Sequence, residues 1–186
     1  VNELNGDINS LMHSIEFDSI HGKWVAEFQK NENYLIINEH KIKTSFVNSI
    51  ELLNLENIDI LIDCTGENKS SIELSKYFKL GIKKVIVSAP INEPGIANIV
   101  YGVNQTIYNP SQHNIITAAS CTTNCIAPII KVLHENIGIE HGSITTIHNL
   151  TNSQTLIDLP HRDLRRGRSA LNNLIPTTTG SAEAIS

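Results

Sequence analysis

The stretch from Asn57 to Pro90 constrains the fold most. Within it, "NIDILIDCTG" is an apolar, β-rich run ending in Thr-Gly, "SSIELSKYFKLG" reads as a helix stopped by Gly81, and "KKVIVSAP" is a second apolar run. Strand, helix and strand in that order make a βαβ unit, and strands joined by a helical crossover lie parallel. Such runs fit a parallel sheet covered on both faces, where ligands bind beyond the carboxyl ends of the strands. That places "CTG" (64–66) and "SAP" (88–90) at the ligand edge.

Ile8, Leu11, Met12 and Ile15 fall at i, i+3, i+4 and i+7, the apolar stripe of an amphipathic helix. "NYLIIN" and "HKIKTSFV", divided by Glu39, read as a hairpin. "NIVYGVN" and "HNIITAAS" read as short strands, the second running into a cysteine-bearing segment. From Cys121, an apolar face of Ile126, Ile129, Ile130 and Leu133 supports a helix ending at Gly138, with Pro128 kinking it or marking a restart. "GSITTIHNLT" then reads as a β-branched strand carrying His148. Residues 154–175 lack periodicity and read as a long loop, which in a compact domain is usually functional. Val1 is no initiator methionine, and Ser181 to Ser186 resemble the opening of a helix without a stop signal, so the chain reads as an internal piece of a longer protein.

Charge and cysteine usage narrow the partners. The net charge of -5 comes without a basic stripe, which gives no electrostatic footprint for nucleic acid or an anionic membrane. Phosphate ligands would need local sites. No run approaches the roughly 20 apolar residues of a membrane span, no segment resembles a signal peptide, and a cytoplasmic address is the default. Three cysteines without framework spacing suit free thiols.

The chemistry concentrates in "AASCTTNCIAP", residues 118–128. A thiol at a helix start faces unpaired backbone N–H groups and the positive end of the macrodipole, both of which favour thiolate. Cys121 has that position. Cys125, one turn deeper among Ile126, Ala127 and Ile129, reads as a small apolar core residue. Neither belongs to a metal site, because scattered histidines supply no second ligand pair at a usual spacing. His148 is the candidate partner of Cys121, since a cysteine nucleophile with a distant histidine is a known arrangement. A thiol of ordinary pKa near 8.5 is already a few per cent ionised at pH 7, so complete ionisation gains only about 30-fold. The histidine must therefore also orient the substrate or move protons. Thr151, Ser153, Thr177, Thr178, Thr179 and Gly180 follow, with Arg165, Arg166 and Arg168 nearby. They read either as turn and cap chemistry or as a phosphate site built from hydroxyls, backbone N–H and guanidinium.

Taken together, "VNE", "FDSIHGKW", "CTG", "VSAP", "YGVN", "AASCTTNCIAP", "TTIHNLTNSQ", "DLRRGRSALNNLIP" and "TTTGSAEAI" resemble the phosphorylating glyceraldehyde-3-phosphate dehydrogenase family. The resemblance implies an α/β fold: a Rossmann-type parallel sheet lacking its first βαβ segment, followed by the start of an α+β catalytic domain. Residues 1–120 would be a partial NAD-binding domain and 121–186 the N-terminal part of the catalytic domain. The family's G-x-G-x-x-G loop, its later phosphate-binding arginine and its nicotinamide-holding asparagine are absent from the chain. The implied activity is NAD-dependent oxidative phosphorylation of glyceraldehyde 3-phosphate to 1,3-bisphosphoglycerate through a cysteine thioester. Cys121 would be the nucleophile and His148 the proton acceptor. Ser120, Thr122, Thr179 and Gly180 match contacts to inorganic phosphate, Thr151 and Ser153 contacts to the sugar phosphate, and Arg168 an arginine of the phosphate region. Asn2, Glu3, Thr65, Gly66, Ser88 and Ala89 match positions around the dinucleotide. The resemblance also implies a homotetramer, with residues 154–175 at a subunit contact near a neighbour's cofactor.

Three positions depart from the usual family pattern. Glu3 replaces Asp, Asn68 stands where an aromatic often flanks adenine, and "HRDLRRGR" replaces a lysine-tryptophan loop. The Leu-Arg-Arg loop resembles that of erythrose-4-phosphate dehydrogenase and of a branch associated with arsenate resistance, in which arsenate replaces phosphate as acyl acceptor. "IPTTTGSA" favours the phosphorylating or arsenylating enzymes. A catalytically silent binding or scaffold protein is the alternative from another class, and the complete Cys121/His148 pair argues against it.

Overall fold

The structure, a computed structural model, describes residues 1–185; Ser186, the last residue of the expected catalytic segment, lies outside them. The βαβ unit is present as β6 (Ile60–Asp63), α2 (Ser71–Lys79) and β7 (Lys84–Val87), after α1 (Ile8–Glu16), β1 (Phe17–Asp18), β2 (Gly22–Lys23), β3 (Phe28–Lys30), β4 (Tyr34–Ile37) and β5 (His40–Lys43). It is followed by β8 (Ala97–Asn98), β9 (Ile115–Thr117) and α3 (Cys121–Asn136). One sheet runs in the order β6-β7-β9-β8, with β8 and β9 parallel. By packing, residues 1–61 with 68–85 form one unit, and residues 62–67 with 86 onward form the other.

In the first unit, Asp7 starts α1 by accepting hydrogen bonds from the Asn9 and Ser10 backbone amides, while Ser10 Oγ accepts the Asp7 N–H. This capping box fixes where the helix begins, and the stripe Ile8, Leu11, Met12 and Ile15 is half-buried as its spacing requires. The hairpin β4–β5 turns at Asn38 and Glu39, with Asn38 in the left-handed region at φ 54° that tight hairpin turns demand. Its alternation buries Leu35 and Ile37. A third strand, β3, which periodicity over three residues could not announce, pairs on the outside of β4. α2 buries Leu74 and Tyr77.

Three expectations about strands change. β6 is not covered on both faces: it ends the sheet order, and Ile60 and Ile62 are 56% and 64% exposed. "NIVYGVN" is strand only at its start, because the chain turns after Val100 and Asn104 ties the turn back by donating to the Asn98 carbonyl. "GSITTIHNLT" forms no strand. β-branched residues favour a pleated, half-buried surface but do not supply the partner that makes a ladder; among the described residues none pairs with this stretch, and Ile147 is 95% exposed.

The second unit buries Val87, Ile91, Ala97, Val100 and Ile115, with Thr117 fully enclosed. α3 turns a different face inward from the one its large residues suggested. Thr123 and Ala127, one turn apart, are its buried positions, and Ala127 packs with Val100 and Ala119. Ile129 and Leu133 are exposed, and so is Cys125, contrary to the reading of a buried neighbour. Ile126 and Ile130 of the bulkier stripe are half-buried. α3 runs through Pro128 as one helix to Asn136. Residues 154–175 carry only turns, yet they are pinned: Leu159 N donates to Gly167 O, Ala170 N to Thr155 O and Ser169 Oγ to Leu156 O.

Candidate active site

β9 delivers the chain to the site through Ala118, Ala119 and Ser120. Ala119, buried, sits at φ 55°, a left-handed conformation that costs an alanine about 1–2 kcal/mol. Several bonds hold it there. Thr117 Oγ1 accepts the Ala119 N–H at 3.1 Å and donates to Asn98 Oδ1 at 2.6 Å. Asn124 Nδ2 donates to the Ala118 carbonyl at 2.6 Å and to the Ser120 carbonyl at 2.9 Å. Ser120 then caps α3, its Oγ accepting the Thr123 N–H at 3.0 Å.

Cys121 is therefore the first residue of α3, and its Sγ lies 3.3 Å from His148 Nε2. His148 Nδ1 donates to the Asn149 carbonyl at 2.7 Å. That bond puts the neutral imidazole's proton on Nδ1 and leaves the Nε2 lone pair facing the thiol. The Cys121 thiol is held below its ordinary pKa, chiefly by the His148 hydrogen bond and further by Thr122. The imidazole is raised by the Asn149 carbonyl first and by Cys121 second. Shifts in these opposite directions widen the pH range in which thiolate and imidazolium coexist. Both side chains are exposed, so a substrate can reach the pair.

The remaining expected residues form local groups. Thr151 Oγ1 and Ser153 Oγ are 2.9 Å apart, and Gln154 Oε1 accepts the Thr151 N–H. Thr179 Oγ1 lies 2.9 Å from the buried Ser181 Oγ, beside Gly180, where a side chain would meet open space. Arg168 is engaged with Asp158 at 2.5 Å. At the strand ends, the enclosed Asp63 accepts from Thr65 N and Oγ1, Gly66 follows at φ 69° with open space beyond its Cα, and Ser88 N donates to the Asp63 carbonyl. Ala89 is half-buried beside it. In the first unit Asn2 spends its amide on Val47 and Ser45, which makes it a clamp. Glu3 Oε1 accepts the Asn5 N–H. Sequence reasoning missed Thr117, Asn98 and Asn124. Only Asn124 left a trace, an amide one helical turn after the cap, where it can reach back.

A parallel sheet whose strand ends are lined with turns, followed by a helix opening on a histidine-paired thiol, defines an α/β protein with a Rossmann-type first part. Residues 1–71 match the model of the glyceraldehyde 3-phosphate dehydrogenase NAD-binding domain, and residues 120–186 match that of its C-terminal domain. The chain belongs to the glyceraldehyde-3-phosphate dehydrogenase family, and the cofactor of its matched first domain is NAD. It is 46% identical, over its whole length, to glyceraldehyde-3-phosphate dehydrogenase 3 of Nostoc sp. (strain PCC 7120 / SAG 25.82 / UTEX 2576), covering 55% of that protein. Against the Geobacillus stearothermophilus enzyme the figures are the same, and against that of Thermotoga maritima the identity is 42% with 55% covered. The chain thus spans about half the length of the curated relatives it matches.

Proposed function

We propose that the protein carrying this chain oxidises glyceraldehyde 3-phosphate with NAD and inorganic phosphate to 1,3-bisphosphoglycerate. The observation that carries this reading is the 3.3 Å Cys121–His148 pair at the start of α3. In the second unit, the residues present suit a dinucleotide's approach to a strand end: the open turn at Gly66 lets a ligand come close to backbone. NAD, when bound, supplies the hydride acceptor.

The Cys121 thiolate bonds to the aldehyde carbon, and the carbonyl oxygen takes the proton from His148 Nε2 to give a thiohemiacetal. His148 next accepts that hydroxyl proton as the carbon gives up its hydride, leaving a thioester. A phosphate oxygen adds to the thioester carbonyl, the carbon–sulfur bond breaks, and the thiolate is regenerated beside the acyl phosphate. Ser120, Thr122, Thr179 and Gly180 hold the attacking phosphate, Thr151 and Ser153 hold the substrate phosphate, and Arg168 serves the phosphate region. Arg168 must exchange Asp158 for phosphate. The protein works as a homotetramer, a reading supported by the exposed Leu156, Ile157, Leu159 and Leu164 of the 154–175 loop.

The test is NADH formation by the complete protein, which should require both glyceraldehyde 3-phosphate and phosphate and should fall to background in Cys121→Ser. A higher kcat/KM for erythrose 4-phosphate, or a Cys121→Ser variant that retains turnover, would overturn the assignment.

A further inference from the structure

Asn124 sits on the exposed side of α3 and spends both amide hydrogens on carbonyls that flank one residue, Ala118 O at 2.6 Å and Ser120 O at 2.9 Å. The residue between them is Ala119, the backbone's left-handed point between β9 and α3. Ala119 is also tied from the other side by Thr117 Oγ1, itself fixed by Asn98 Oδ1. An alanine at positive φ relaxes to the ordinary regions unless its surroundings over-determine it. Its rotation would swing Ser120 and Cys121, the next two residues, and lengthen the Sγ–Nε2 distance. The bond to Ser120 O is the usual back-bond of a helical side chain to the carbonyl four residues earlier; the bond to Ala118 O carries the same amide beyond the cap and across the bend.

We infer that Asn124 is a positioning residue for Cys121: its amide locks the Ala118–Ser120 bend and so holds the thiol within reach of His148. The inference rests on the reading of Cys121 as the nucleophile. The Asn124 amide hydrogen-bonds to the Ala118 and Ser120 carbonyls, and through that backbone it acts on the thiol.

Cys125 provides an internal control, being exposed one turn further along the same helix. Iodoacetamide labelling of the complete native protein, assigned to each cysteine by fragment-ion masses across pH 5 to 9, reads thiol ionisation independently of dehydrogenase turnover. In Asn124→Ala, Cys121 should alkylate about tenfold more slowly at pH 7, with its pH midpoint moved up by about one unit, because one unit of thiol pKa is a tenfold change in thiolate. Cys125 should keep its wild-type rate, which fraying of the helix would not allow. Should Asn124→Ala fail to fold, the comparison moves to the Ala119→Gly background, where glycine takes positive φ without strain but with more freedom. There Asn124→Ala should again slow Cys121 alone. An unchanged Cys121 midpoint in a folded variant, or parallel changes at both cysteines, would overturn the inference. Because turnover is not the readout, the dehydrogenase reading can fail while this one stands, and the reverse.

Discussion

At the residue scale the site turns on one sulfur and one imidazole. The Asn149 carbonyl fixes the His148 tautomer, His148 lowers the Cys121 thiol, and the thiol in turn helps raise the imidazole. The sign of the pH dependence follows. With its pKa lowered, Cys121 stays ionised below the ordinary thiol range and loses reactivity only as pH falls through that lowered value. His148→Asn removes the largest cause of the shift. The variant's Cys121 should therefore alkylate with a midpoint moved up toward the ordinary range and be slower at neutral pH by up to about 30-fold, the most that ionisation alone can give. Rate profiles that superimpose would show that the imidazole does not tune the thiol. The identity of this pair was legible in the sequence because a helix start and a distant histidine each carry a physical meaning. The state of Cys125 was not. Its apolar neighbours Ile126 and Ala127 suggested a core, but which face a helix buries depends on what approaches it, and here Ala127 is enclosed while Cys125 is not.

At the scale of elements, local signals read well where the element satisfies itself. α2 is the clearest case. Ser70 caps it by accepting the Glu73 N–H at 3.3 Å, and Glu73 Oε2 accepts both the Ser70 hydroxyl and the Lys69 N–H at 2.9 Å. Ser70→Ala removes the cap while leaving the buried Leu74 and Tyr77 in place, so it should cost about 1 kcal/mol in denaturant unfolding with an unchanged m-value. A loss below a few tenths would mean that packing alone sets where α2 begins. Strands read less well than helices. β7 and β9 were visible as apolar runs whose alternate residues lie in the core, whereas β3 is too short to show a period and residues 142–151 have the composition of a strand but no ladder partner among the described residues. The bend at Ala119 was illegible for a further reason: nothing in Ala-Ala-Ser announces positive φ, and the bonds that impose it come from Asn124, Thr117 and, behind it, Asn98.

For the whole molecule, the βαβ unit read from residues 57–90 correctly led to a sheet with its turns at the strand ends, and residues 154–175 are irregular as their lack of period implied. What the sequence concealed was cover. Ile62, Ile129, Ile147 and Leu174 have core chemistry and are exposed, since apolar character states a preference for burial and only a neighbouring surface supplies it. The central claim is that all this scaffolding serves a covalent step at Cys121. Its most direct test is to mix the complete protein with glyceraldehyde 3-phosphate and NAD in phosphate-free buffer, quench in acid and read peptide masses. The account predicts a 3-phosphoglyceroyl thioester placed on Cys121 by fragment ions of the peptide that holds both cysteines, none on Cys125, and its discharge as acyl phosphate when inorganic phosphate is added before the quench. NADH formed with no acyl group at Cys121, or an acyl group on another residue, would contradict it.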